Sequence, residues 1–208
     1  MIHAYHIILP MYGFWLPNDP RGSWSDFVRS WELAKFAKAT ISCDRSQLPE
    51  LTTAQRQQRT IAKNALKYPA VSLSGTQALS IGNGFARKVA SSRYTVWACA
   101  ILPEHTHLVI ARHRYKVEQI ANLLKGAATR NLVNDNIHPF QDFPDERGKL
   151  PHVWASRLWK VYLDSELAIE EAIHYVEQNP IKEGLPKQHW NFVSPFQGIP
   201  KGGWTTYM

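Results

Sequence analysis

Cysteine is scarce in this chain. Cys43 and Cys99 are the only two; they lie far apart and in no CxxC or Cys/His spacing, which argues against a disulfide framework or a structural zinc site and fits a reducing compartment. Long apolar runs are missing too. None approaches the roughly 20 residues that cross a bilayer, and the opening "MIHAYHIILP" has neither a basic lead nor a long apolar core. A cytoplasmic protein without a membrane span is expected. No internal repeat or low-complexity segment is present, which removes repeat arrays and disordered linkers from consideration.

The residues that are present describe a globular chain. With 208 residues, 44% hydrophobic and 20% charged, it is long enough for one well-buried core, so a single domain over 1–208 is expected. Lys and Arg exceed Asp and Glu by 24 to 17, a formal net charge of +7, without any lysine tail. The charge must therefore be spread over the folded surface, which suits a polyanionic partner such as nucleic acid. Eight Trp, eight Tyr and eight Phe add rings on which unpaired bases can stack, although for any one ring a place in the core is the simpler reading.

"HAYHIIL" (3–9) has strand composition, and "PMYGFWLPNDPRGSWSD" after it is too rich in Pro, Gly and Asn to be regular. Arg21 in that loop can contact phosphate or base; a loop packed on Trp15 and Trp24 accounts for the stretch equally well. From about 27 to 93 the signals are mainly helical: "SWELAKFAKAT", then "TTAQRQQRTIAKNALKY" with Thr52 or Thr53 as cap and an apolar stripe of Ile61, Ala62, Ala65 and Leu66, then "GTQALSIGNGFARKVASS". This reads as an insertion. "YTVWACAIL" and "HTHLVIAR", separated by Pro103-Glu104, predict an antiparallel hairpin. A helix follows with Val117, Ile120, Leu123 and Leu124 on one face, then a strand-like segment over 152–165. The last helix spans 165–180: Ser165 caps it, early glutamates favour its positive end, and Pro180 disfavours continuation beyond Asn179. That order suggests an α+β sandwich, a small antiparallel sheet with helices on one face.

Residues two apart in a strand share a face, so His105 and His107 project together. Two neighbouring imidazoles can grip one metal ion; a pair of hydrogen-bonded or exposed histidines at a sheet edge is the competing reading. On the last helix Tyr175 and Asn179 are four apart and stack on one face. The amide oxygen of Asn179 is a hard ligand that can complete a site begun by two imidazoles. Tyr175 beside it is either a nucleophile or a core ring with a satisfied hydroxyl.

"LPEHTHLV", followed some 70 residues later by "AIHYVEQNPIKEGL", resembles the single-tyrosine HUH transposases, in particular the REP-associated tyrosine transposase group of the IS200-like superfamily. The opening "YHIILPMYGFWLPNDPRGSW" is similar to the start of members of that group. The likeness covers the N-terminal strand and most of 94–197. It implies an RRM-like or ferredoxin-like antiparallel sheet backed by helices. It also implies that His105 and His107 are the metal-binding pair, that Tyr175 is the nucleophile, and that Asn179 completes the site for Mg²⁺ or Mn²⁺. Thr106 stands where the group usually has a bulky hydrophobic residue, and Val176 and Ile181 where Ile and Val are commoner. The implied activity is cutting and rejoining of single-stranded, hairpin-forming DNA through a 5′-phosphotyrosine, by a monomer or homodimer. A domesticated hairpin-binding protein that does not cut is the alternative. Arg112, Arg114 and Lys116 after the histidine strand, and Arg157 and Lys160 before the catalytic helix, are candidates for holding phosphates. Lys125, Arg130, Lys182 and Lys187 are weaker ones, and Trp159 or Trp15 can stack on bases.

Overall fold

The structure is a computed structural model and describes residues 1–14, 16 and 52–199. The expectations for Arg21, Trp15, Trp24 and a helix over "SWELAKFAKAT" lie outside the described residues. The chain divides into two compact units, one of Met1–Pro10 with Ser72–Met208 and one of Met11–Val71.

In the first unit, four strands form a sheet in the order β2-β3-β1-β4. They are β1 Ala4–Pro10, β2 Val96–Ile101, β3 His105–Ala111 and β4 Trp159–Leu163, and every neighbouring pair is antiparallel. With helices α2 (Gly75–Ser92) and α3 (Val117–Asn134) as the crossovers, this is the split β-α-β-β-α-β arrangement of a ferredoxin-like sandwich. The hairpin closes where the Leu102 N–H donates to the His105 carbonyl at 2.9 Å. β4 is shorter than the 152–165 segment that resembles a strand.

Strand alternation sorts the side chains. Ile7, Leu9, Leu108 and Ile110 point to one face and are fully buried. Lys160 lies opposite Ile7 in the β1–β4 register and forms an ion pair with Glu118 of α3, so α3 covers this face. α2 packs on α3 so closely that a Cβ on Gly84 would lie 2.7 Å from the Ala128 Cα. Ser74 starts α2 with a reciprocal cap, its Oγ accepting from Gln77 N–H at 3.2 Å while Gln77 Oε1 accepts from Ser74 N–H at 2.9 Å. Of the expected stripe on α3, Val117, Ile120 and Leu124 are buried but Leu123 is 37% exposed.

The other face carries α4, Glu166–Lys182. Its Ile169, Ala172 and Val176 pack with Ala4, Ala98, Val109 and Leu163, and full burial of Ile169 and Val176 contributes roughly 1.5–3 kcal/mol each. α4 is thus an addition to the sheet backed by helices on one face. It also runs through Pro180, contrary to expectation. Pro180 is buried, and the helix stops instead at Gly184, whose φ of 72° is available to glycine. There Leu185 N–H donates to the Pro180 carbonyl at 2.8 Å and Gly184 N–H to the Ile181 carbonyl at 3.0 Å, a Schellman closure.

In the second unit, α1 (Thr53–Asn64) sets Ala62, with Leu66 beyond its end, against Leu16. Gly13, at φ 81°, lets the chain pass close to Ala70. No helix among the described residues is long and apolar enough to cross a membrane.

Candidate active site

His105 pairs with Pro10 and His107 with Ile8 across β1 and β3. Their shared side of the sheet is the one that carries α4, because Val109, two residues on, packs against that helix. The imidazole centroids of His105 and His107 are 4.8 Å apart. His107 is 3% exposed, so its ring has little access to water.

A third histidine joins them. His6 of β1, 7% exposed, places Nε2 3.0 Å from Nδ1 of His107. Sequence reasoning passed over it, because one histidine in an apolar strand is usually structural. The available signal was its parity with Ile8, which puts it on the face that the register later assigns to the pair.

α4 brings the phenol. Tyr175 follows Ala172 by one turn, and its ring centroid lies 5.6 Å from that of His6 and 5.7 Å from that of His107. The ring is 45% exposed, so it sits at the mouth of the histidine cluster, where a large substrate can reach it. Asn179, one further turn along, is 9% exposed, and its Nδ2 is buried without a hydrogen-bond partner among the described residues. A half-turn of the amide exchanges Nδ2 and Oδ1. Among the described residues no group of three His, Cys, Asp or Glu side chains has the placement to hold a metal ion. A cation here would depend on the Asn179 amide as well as the imidazoles, and the unsatisfied amide fits such a donor set.

The cationic candidates separate. Lys182 holds Nζ 5.3 Å from the centroid of the Tyr175 ring. Trp159 is half-buried and pairs with Ile8 on the strand flank opposite His107, so it shares their face. Arg157 precedes it at the same end of β4. Lys160 points to the opposite face and is tied to Glu118. Arg112, Arg114 and Lys116 follow the far end of β3, roughly 15 Å or more along the strand from His107 at about 3.3 Å per residue. Lys125 is buried and donates to the Ala155 carbonyl at 2.8 Å, which removes it from the surface charges. Near the exit of α4, the Glu183 carboxyl is pushed up, by burial first and by the charge of Glu104 second.

The ferredoxin-like sheet thus gathers three imidazoles and a half-exposed phenol on one face. Among solved structures the chain is similar to a REP-associated tyrosine transposase bound to a REP hairpin, at 11% identity and a TM-score of 0.48, over 88% of this chain and 70% of that one. It is also similar to a provisionally assigned transposase from Deinococcus radiodurans R1, at 10% identity and a TM-score of 0.41, over 88% and 90% of the two chains. No protein-family model matches the sequence, and no curated protein matches it.

Proposed function

We propose that this chain is a tyrosine endonuclease and strand transferase for single-stranded DNA. The observation that carries the reading is the meeting, on one face, of a half-exposed Tyr175 with His107 and its neighbours. A ring meant only for the core would be covered.

His105, His107 and Asn179 would hold a divalent cation, Mg²⁺ or Mn²⁺, which when bound would draw charge from the phosphate oxygens and make phosphorus more electrophilic. Tyr175 Oη attacks that phosphorus. The phenol gives up its proton to solvent as the new O–P bond forms and the bond from phosphorus to the 3′ oxygen breaks; the departing oxygen takes a proton back from solvent to become a 3′-hydroxyl, and the 5′-phosphate stays on Tyr175, with no net gain or loss of protons. One phosphodiester has replaced another, so the reverse exchange rejoins strands without ATP. Lys182 beside the phenol offers a positive charge to the incoming phosphate, and Trp159 on the same face offers a ring to an unpaired base.

The test is covalent capture. Wild-type protein and Tyr175→Phe are incubated with a labelled hairpin oligonucleotide and Mn²⁺, with and without EDTA. Both proteins should shift the oligonucleotide in a gel, and only the wild type without EDTA should give an adduct that survives denaturation. An adduct from the phenylalanine protein would overturn the assignment of the nucleophile.

A further inference from the structure

His6 is not one of the three residues proposed above as cation donors, yet it makes a polar contact within the cluster: Nε2 of His6 lies against Nδ1 of His107 at 3.0 Å, with both rings nearly excluded from water. Two imidazole nitrogens at that distance need one proton between them, and only two arrangements supply it for neutral rings. In the first, His6 carries its proton on Nε2 and donates. His107 is then protonated on its own Nε2 and its Nδ1 lone pair is already used, so neither nitrogen is left for a cation. In the second, His107 carries its proton on Nδ1 and donates to the bare Nε2 of His6. Nε2 of His107 then carries no proton and keeps its lone pair. The ring can serve as a ligand in the second arrangement alone.

We infer that His6 is a positioning residue which accepts the Nδ1 proton of His107, and so holds that ring in the tautomer and orientation that present Nε2. A ligand histidine commonly donates its other nitrogen to a carboxylate, carbonyl or water that fixes the ring in this way; here the acceptor is a second imidazole on the adjacent strand. The β1–β3 register makes it possible. Ile8 stands directly opposite His107, and His6, two residues along, shares its face and reaches the ring diagonally. The choice between the two arrangements rests on the reading of the site given above, whereas the contact between the two rings does not.

The experiment uses the full chain labelled with ¹⁵N-histidine. The ring signals of His107 are identified by comparison with His107→Gln, and its tautomer is read from long-range proton–nitrogen couplings without metal. The expected result is protonation at Nδ1. Protonation at Nε2 would overturn the inference whatever the protein does to DNA. The second measurement is Mn²⁺ affinity by electron paramagnetic resonance. His6→Leu should weaken it about 10- to 100-fold. His6→Gln, whose side-chain oxygen can accept at the place of Nε2, should stay within about threefold of wild type. Equal affinity in wild type and His6→Leu, or no rescue by Gln, sinks the positioning role. A wild-type protein with Nδ1 protonated that takes up no Mn²⁺ would leave the tautomer assignment standing and overturn the metal-dependent nuclease reading instead.

Discussion

Asn179, proposed above as a cation donor, shows how such a role would be written against stability. Leaving an amide N–H buried and unpaired costs about 1–3 kcal/mol, and Nδ2 of Asn179 is in that position. Leucine fills nearly the same space without a polar group. Asn179→Leu is therefore expected to stabilise the metal-free protein by about 1 kcal/mol, seen as a higher urea midpoint at unchanged slope, while Mn²⁺-dependent adduct formation falls at least tenfold. A less stable leucine variant would mean that the amide holds the fold together and has no spare valence for a ligand. That His105 and His107 share a face, and that Tyr175 and Asn179 do, was legible in the sequence because each pair obeys a local period, two along a strand or four along a helix. His6 obeys none. It is 101 positions from His107, and its meaning arises only when β1 and β3 choose a register. The face of Lys160 was hidden for the same reason: next to Trp159 in sequence, it lies on the other side of the sheet.

At the level of elements, the Ser165 cap of α4 was read from the sequence, whereas the equally well formed Ser74 cap of α2 was not singled out. Ser74 and Ser165 sit at the N-caps of α2 and α4, with side chains accepting from the third residue on. The end of α4 was misjudged because Pro180 was weighed as a stop. Its ring removes one helical hydrogen bond, but the surrounding core covers it, and Gly184 with Leu185 supplies the closure. Helix-to-helix distance was not legible, since no local pattern says that a glycine faces another backbone. At Gly84 it does. Alanine there gains roughly 1 kcal/mol in helix propensity, yet its Cβ would sit 2.7 Å from the Ala128 Cα and 2.9 Å from the Ala127 carbonyl oxygen. Backbone of α3 cannot swing aside as a flexible side chain can, so overpacking should outweigh propensity. Gly84→Ala is expected to lower stability by roughly 1–3 kcal/mol in urea unfolding; a more stable variant would show that α2 and α3 can separate freely.

For the whole molecule, the alternation of apolar periods with turn residues was enough to indicate an antiparallel α+β sandwich, because each strand and helix carries its own pattern. The net charge of +7 suits a polyanionic partner but says nothing of where each cation lies. Lys125 makes the difference concrete. Counted with the surface charges, it is 7% exposed, and burial lowers its amine to about 8, against about 10.4 in an unfolded chain. Between those values the unfolded chain holds a proton that the folded chain has released, so stability rises with pH across that window. Below about 8 the folded state bears the full cost of a buried ammonium, roughly 3 kcal/mol at one pKa unit per 1.36 kcal/mol, partly offset by the bond to the Ala155 carbonyl. Lys125→Met keeps the apolar stem and removes the proton. Urea midpoints for the two proteins at pH 7, 8.5 and 10 should therefore converge as pH rises, with methionine the more stable at pH 7 by about 1–2 kcal/mol. Parallel curves would mean that the Lys125 amine reaches water in the folded state and that its charge belongs with the others on the surface.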